Sequence, residues 1–248
     1  MKTTKHLFNL LLTALLCCSL NSYAQDSNTD YSMAVVVYID AKVGHEAQFE
    51  SAAAEHNAKH HNEAPNKGWL NQIMSGEDAG TYAWVMAPCT FTDLDNMKLG
   101  DEHDKHWNDK VVPHIESYGA QEYWKYNKDL SYYPNAEQVN KFGEFWIIDL
   151  KRGDYYRFKA LMGMIIEAFE AQGTGSIRVY DNQFNANDGR DVTLIFDMEN
   201  LSEMDMNNSI KGSYEELHGE GSWSIMLDEW NEITISINSQ LWRTQITE

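Results

Sequence analysis

Cysteine is scarce in this chain. The sequence has three cysteines in 248 residues, and two of them, Cys17 and Cys18, lie in an apolar stretch near the first residue. Beyond that stretch only Cys89 remains, so the rest of the chain cannot form an intrachain disulfide. We therefore expect packing to stabilise the fold, with Cys89 as a packed thiol and not a nucleophile.

Basic residues are also few. The chain has 19 lysines and arginines against 38 aspartates and glutamates, which gives a formal net charge of -19 at pH 7. A surface this acidic repels both nucleic-acid phosphates and anionic lipid headgroups. We therefore expect no nucleic-acid partner and no membrane partner.

Strong catalytic and metal-binding motifs are missing as well. The sequence contains no phosphate-binding loop, no nucleophile elbow, and neither an HExxH motif nor paired CxxC motifs. Any functional site must therefore be inferred from weaker patterns of residues.

The first residues of the chain have the composition of an export signal. Lys2 and Lys5 precede an apolar run from Leu7 to Leu20, and the small residues Ser22 and Ala24 occupy the cleavage positions. No later stretch approaches the roughly 20 apolar residues that span a bilayer. We predict a cleaved signal peptide over residues 1–24 and a periplasmic or secreted protein.

Segments in the two halves of the chain resemble each other in register. The matched pairs are 37–44 (VYIDAKVG) with 146–153 (WIIDLKRG), 81–95 with 191–205, and 123–125 (YWK) with 241–243 (LWR). The pairs occur in the same order in both halves, which predicts an internal duplication.

Each half has the pattern strand, helix, strand, strand, helix, strand. In the first half we predict strands at 33–40, 69–75, 82–87 and 118–126, with helical regions at 44–61 and 90–114. In the second half we predict strands at 144–150, 176–184, 192–198 and 232–243, with helical regions at 154–172 and 201–218. This order is that of the ferredoxin-like unit, whose sheet has helices on one face and needs cover on the other. We predict an α+β fold of two tandem units, at residues 30–127 and 142–248, joined by a linker at 128–141.

The first unit also carries a short series of features typical of one superfamily. The aromatic strand segment Trp84-Val85-Met86 is followed by Phe91 to Met97 and then by His103 and His106. In these features and in the order of its elements, the chain resembles the dimeric α/β-barrel superfamily, and within it the antibiotic-biosynthesis monooxygenase and NIPSNAP-like domains. The resemblance covers residues 33–243 and implies a fused barrel.

That superfamily also includes haem enzymes of the chlorite-dismutase type, which carry their proximal histidine in the C-terminal unit. For this role the resemblance offers only His218, at a helical end before Gly219. We therefore expect no haem and no other cofactor.

Two histidines stand where the second unit has apolar residues. A shift of 109 residues aligns Phe49 with Phe158, and it places His56 and His60 at the positions of Ile165 and Phe169. Because a buried imidazole needs polar partners, this exchange predicts a wet or liganded cavity. The spacing of four residues puts both rings on one helical face, which suits a metal or a shared polar pocket. The alternative is a rotated helix with both histidines at its exposed edge.

A second group of polar residues lies at 101–109. His103 and His106 are three residues apart and can share a helical face, with Trp107 beside them. The neighbouring acids, at 101, 102, 104 and 109, are typical of a solvated acidic helix, which is the alternative interpretation of the whole segment.

The leading functional interpretation is an exported small-molecule-binding barrel, similar to a cofactor-independent monooxygenase if it is an enzyme. Its cavity would lie in the first unit, where His56 and His106 would transfer protons. Four further residues would contact a small apolar or aromatic ligand: His60, Trp69, Trp84 and His103.

Two other classes of function are compatible with the same residues. One is a non-enzymatic module whose acidic face binds a cationic partner. The other is a divalent-metal protein that uses His56, His60 and either His103 or His106, although no metal site is assigned on the sequence alone. The sequence also leaves open the formation of a homo-oligomer.

Overall fold

Eight antiparallel strands form the centre of the structure. The computed structural model describes residues 31–135, 140–184, 188–206 and 209–245. The strands are β1 (Met33–Ala41), β2 (Gly68–Ile73), β3 (Tyr82–Cys89), β4 (Ile115–Tyr126), β5 (Phe142–Leu150), β6 (Arg178–Asn182), β7 (Val192–Met198) and β8 (Thr234–Gln245). They close into a barrel in the order β1-β3-β2-β8-β5-β7-β6-β4. The predicted signal peptide and residues 136–139 of the predicted linker lie outside the described residues.

Each half of the chain contributes four neighbouring strands to this barrel. The order is β4-β1-β3-β2 in the first half and β8-β5-β7-β6 in the second, so in both the fourth strand lies beside the first. The halves meet where β2 pairs with β8, with Ile73 opposite Trp242, and where β4 pairs with β6, with Trp124 opposite Asn182. These two seams complete the barrel.

The α-helices of the described residues come from four connections between strands. They are α1 (Glu46–His60), α2 (Phe91–Asn96), α3 (Gly100–His106), α4 (Tyr155–Gln172), α5 (Lys211–His218) and α6 (Ser222–Ile233). α3 continues into a π-helical turn, Trp107–Val111, and a 3-10 turn, Val112–His114. In the part of the chain that the structure describes, no helix is both long enough and apolar enough to cross a bilayer.

The helix α6 was not predicted from the sequence. Gly219 and Gly221 adopt φ angles of 98° and 80°, a region that glycine enters without strain, and they separate α5 from α6. One face of α6 buries Met226 and Ile233 in the core of the second half. The last helical region is therefore longer than expected, and β8 begins at Thr234.

Alternation along β3 separates the barrel interior from the helix layer, because successive strand side chains point to opposite faces. Ala83 and Val85 belong to the interior cluster that includes Trp242. Tyr82 and Trp84 belong to the cluster under α1, where the Tyr82 ring lies 5.0 Å from that of Phe49. The side of the barrel on which a residue acts therefore follows from its place in this alternation.

The helix layer of the second half is built on apolar side chains. Helix α4 buries five large ones: Phe158, Leu161, Met162, Ile166 and Phe169. They form one cluster with Tyr214 of α5 and Met226 of α6. The prediction named Ile165 in this stripe, but Ile165 is only partly buried and Ile166 takes the buried place.

Candidate metal centre

Five histidines meet in the helix layer of the first half. His56 and His60 lie on α1, His61 is the next residue after it, and His103 and His106 lie on α3. The His56 ring is central, with centroid distances of 4.7–5.3 Å to the other four rings. Spacings of four residues on α1 and three on α3 aim these rings at one another. The name five-histidine cluster is used below for this set.

Two tryptophan rings pack against the five-histidine cluster, one from the sheet and one from the π-helical turn. The Trp84 ring of β3 lies 5.0 Å from that of His61, and the Trp107 ring of the π-helical turn lies 4.9 Å from that of His56. Trp84 Nε1 donates to Asn57 Oδ1 at 2.9 Å, which ties α1 to β3. A π-helical turn re-aims the side chains that follow α3, and such turns are frequent at functional sites.

In the pair formed by His61 and His103, two unprotonated ring nitrogens face each other. His61 Nδ1 lies 2.9 Å from the carbonyl oxygen of Asn66, and His103 Nδ1 lies 2.9 Å from Asp104 Oδ1. Both oxygens can only accept, so both Nδ1 atoms carry the proton of the neutral ring. The two Nε2 atoms, 3.1 Å apart, are then both lone-pair acceptors. Two facing acceptors repel each other unless a cation joins them.

A second pair has a similar separation. His56 Nδ1 lies 3.1 Å from His106 Nδ1, while Nε2 of His106 lies 3.5 Å from Glu55 Oε1. The buried Nε2 atoms of His56 and His60 have no hydrogen-bond partner among the described residues. Orphaned buried nitrogens of this kind call for an explanation such as an ion or an unseen water.

Burial makes the charged form of three of these rings unfavourable. His56 is 0% exposed and His61 is 3% exposed. Desolvation, followed by the charges of the neighbouring imidazoles, lowers the pKa of His56 to about 3. Desolvation is also the main reason that the pKa values of His60 and His61 lie below the ordinary value. Neutral imidazoles with free lone pairs are the form that binds metal ions.

The cluster contains two groups of three potential ligands. His56, His61 and His103 form one, and His56, His60 and His106 form the other, with the ligand atoms of each group within 4.8 Å of one another. A tetrahedral ion with metal–nitrogen bonds of 2.0–2.1 Å separates its ligand atoms by about 3.3 Å, close to the spacing of the two pairs. Imidazole ligands suit zinc, copper, iron and nickel.

The sequence located most of this cluster but not its full membership. His56, His60, His103 and His106 were predicted as site residues, and the structure brings them together with His61, which was not predicted. Full burial of His56 rules out the exposed-edge alternative for that residue. The acids at 101, 102, 104 and 109 are exposed, as the solvated-helix alternative expects, but Asp104 also orients His103.

The barrel interior holds a separate cavity of about 140 Å³. Aromatic rings from both halves line it, among them Trp69, Trp124, Phe145 and Trp242. None of its described lining residues is a histidine, and Trp84 faces the helix layer instead. The structure therefore does not bring all the predicted site residues to one place, since Trp69 lines the barrel cavity while Trp84 packs against the histidines. Strand alternation sends Trp69 inward and Trp84 outward.

Two ion pairs in the barrel interior were missed by the sequence reasoning. Arg178 donates to both carboxylate oxygens of Asp197 at 2.6 Å. Arg190 forms a hydrogen-bonded pair with Glu122, and Tyr38 donates to the same carboxylate at 3.1 Å. Burial is the main cause that raises the pKa of Tyr38 far above its ordinary value. Both arginines are thus neutralised within the protein.

His218 does not fit the role of a haem ligand. Its Nε2 lies 3.2 Å from the carbonyl oxygen of Met164, so this nitrogen carries a proton and offers no lone pair. The Tyr214 ring packs 4.6 Å from the imidazole, and the space towards α4 is filled by the apolar core. These contacts do not fit a haem ligand at His218.

Comparisons with known proteins relate the chain to solved structures alone. No protein-family model matches it, and no curated protein matches it. A structure named "putative monooxygenase" from Fusobacterium nucleatum subsp. nucleatum matches with a TM-score of 0.54 at 13% identity, covering 86% of this chain and 92% of that chain. An anthrone oxidase-like protein matches with a TM-score of 0.52 at 11% identity, covering 88% and 93%. Chlorite dismutase from Candidatus Nitrospira defluvii matches with a TM-score of 0.52 at 10% identity, covering 87% and 92%.

These likenesses show the fold. The chain shares with them a mixed α+β fold, built here on a closed eight-stranded antiparallel barrel, and the α+β class agrees with the predicted order of elements. Identities of 10–13% carry no assignment of activity or of residue roles. Function must be argued from the site.

Proposed function

We propose that this protein binds a first-row transition metal ion in the five-histidine cluster. One observation carries the proposal: Nε2 of His61 and Nε2 of His103 face each other at 3.1 Å while each ring donates its Nδ1 proton elsewhere. Metal-ligating histidines usually have this arrangement, with the second nitrogen bonded to a carboxylate or a backbone carbonyl.

A shared proton is the competing explanation for the short contact. It would place a positive charge between the two rings, and the His61 ring is buried, with 3% of its surface exposed. Burying such a charge is unfavourable. A metal ion carries a larger charge but forms coordinate bonds that offset desolvation. The exposed carboxylates of Glu55, Glu102 and Asp104 add favourable charge around the cluster.

This proposal changes the roles expected for two residues. His56 and His106 were predicted to transfer protons to a substrate. His56 is fully buried and is not among the residues that line the barrel cavity. His106 Nδ1 lies 3.1 Å from His56 Nδ1, which favours a ligand role for both. Zinc and copper are the ions that imidazole-only sites bind most readily.

The test is the metal content of purified protein after incubation with Zn²⁺ or Cu²⁺ and removal of loosely bound ions. We expect stoichiometric metal in the wild type and its loss in His61→Ala/His103→Ala. The matched control is His45→Ala/His114→Ala, because this surface pair also has an Nδ1–Nδ1 distance of 3.1 Å but belongs to no group of three potential ligands in the part of the chain that the structure describes. Metal-free wild type, or equal loss from both variants, would contradict the proposal.

A second function is favoured by the interior cavity. We propose that the barrel also binds a small apolar or aromatic molecule, because a cavity of about 140 Å³ with aromatic walls resembles in size engineered cavities that hold benzene. Ala34→Phe would fill the cavity from β1 and should abolish binding of a probe such as phenol. Metal content should be unchanged, and unchanged phenol binding would argue against this site.

Three finer points of the sequence analysis stay proposals. The shared strand order of the halves supports two tandem ferredoxin-like units that arose by duplication. The features at 84–106 support a place near the antibiotic-biosynthesis monooxygenase and NIPSNAP-like domains. The pattern of residues 1–24 supports export, which cell fractionation of tagged full-length protein would test.

A further inference from the structure

His56 occupies a special place in the five-histidine cluster. It belongs to both groups of three potential ligands, and its ring is within 5.3 Å, between centroids, of all four other rings. It is also the most deeply buried member, at 0% exposure. A single ion bound to one group would use His56 through one ring nitrogen. The two other histidines of the second group would then have no ion to bind.

The two ring nitrogens of His56 face different surroundings. Nδ1 is 3.1 Å from Nδ1 of His106, so it belongs to the group with His60 and His106. Nε2 is buried and has no hydrogen-bond partner among the described residues. It is the nitrogen left for the pair formed by His61 and His103, whose ring centroids lie 5.3 and 4.7 Å from that of His56.

We propose that His56 bridges two metal ions, one held with His61 and His103 and the other with His60 and His106. This inference rests on the proposed metal-binding function. Both nitrogens of His56 then act as ligands, so its remaining ring proton leaves to solvent when the second ion binds. Bond lengths of 2.0–2.1 Å on either side of the ring place the ions about 6 Å apart.

Each ion in this arrangement has three imidazole ligands. Three protein ligands leave a fourth tetrahedral position open, which is typical of reactive rather than structural zinc sites. Outer partners are in place for three of the four remaining rings, since Asn66 holds His61, Asp104 holds His103 and Glu55 lies beside His106. The centre is therefore suited to binding water or another small ligand between or beside the ions.

The first test is stoichiometry with Zn²⁺ on the full chain. We expect two ions per chain in the wild type and one in each of His60→Ala and His103→Ala, because each variant removes a ligand of one ion. His45→Ala, on the exposed surface pair, should retain both ions. These variants are preferred to a change at His56, because His56 belongs to both groups and its loss would not distinguish the two ions.

The second test uses Cu²⁺ and electron paramagnetic resonance. A bridging imidazole couples two copper ions, so the wild type should give a weakened or coupled signal. His60→Ala and His103→Ala should each give the full signal of an isolated ion.

The outcomes separate this inference from the proposed function. One zinc ion per chain, lost on mutation of the cluster, would overturn the bridge and leave the metal-binding function intact. Two magnetically independent copper ions would overturn the bridge as well. Absence of bound metal from the wild type would overturn both proposals.

Discussion

The two helix layers of this barrel hold their helices to the sheet in different ways. In the second half, α4 buries Ile166 and Phe169 in an apolar cluster shared with α5 and α6. In the first half, α1 places His56 and His60 between itself and α3, with Phe49 and Ala53 as its apolar contacts. A fold with two similar halves can keep one helix layer for stability while the other exchanges apolar contacts for ligand-binding groups. The comparison predicts that metal binding stabilises the fold through the helix layer of the first half, and that changes in the layer of the second half leave metal binding unaffected.

The largest effect should come from the apolar layer. Phe158 is 0% exposed in the second half, and Phe158→Ala should lower the free energy of unfolding by about 3–5 kcal/mol through lost burial and a new cavity. Denaturant unfolding measures this loss. Bound zinc should be unaffected, because Phe158 contacts none of the histidines. A parallel loss of zinc would show that the layers are not independent.

Removal of bound metal should have the next largest effect on the stability of the folded protein. A ligand that binds only the folded state, at 100 to 1,000 times its dissociation constant, stabilises it by about 3–4 kcal/mol. A chelator should therefore lower the thermal midpoint of the wild type by more than that of His61→Ala/His103→Ala, which lacks two of the five histidines. Equal shifts in both proteins would assign the effect to the chelator itself.

A swap of residues between the halves should raise the stability of the metal-free protein. His56→Ile/His60→Phe puts the residues of the second half into α1 and removes two buried nitrogens without partners, each of which costs about 1–3 kcal/mol. Thermal unfolding without metal should show a more stable variant, and metal binding should be lost. A less stable variant would mean that water or packing already satisfies these rings.

The smallest expected effect on stability comes from the hydrogen bond that links β3 to α1 beside the five-histidine cluster. Trp84→Phe removes the 2.9 Å bond to Asn57 and should cost about 1 kcal/mol of stability. Metal affinity should fall slightly, because Asn57 lies on α1 between the ligands His56 and His60. The control is Trp69→Phe, which changes the barrel cavity instead and should not alter metal affinity.

The parts of the fold that the sequence predicted are those that depend on local pattern. Strand alternation and helical spacing gave the order of elements, and the strands were located to within a few residues. The 109-residue register identified His56 and His60 because the second half shows what an ordinary core holds there. That comparison between the halves was the strongest signal for the site.

The parts that were missed depend on contacts between distant residues. His61 aligns with Glu170, an exposed residue, so the register gave no signal for it. Its role follows from the end of α1, where the chain turns and brings Asn66 back to the ring. The Arg178–Asp197 pair joins the neighbouring strands β6 and β7, and Arg190, just before β7, reaches Glu122 on β4. No local sequence pattern marks either pair. The cavity was misplaced because its walls combine both halves.

Closure of the barrel also limits how copies of the chain could associate. Each of the eight described strands has a hydrogen-bonded neighbour on both sides, but the two seams are short, since β4 pairs with β6 over 124–126 and β8 pairs with β2 over 242–245. Strand-by-strand templating, the usual first step towards fibrils, needs an open row of backbone donors and acceptors, and closure confines such rows to the parts of β4 and β8 outside the seams. A fragment containing only one half would lose both seams and expose two complete edge strands.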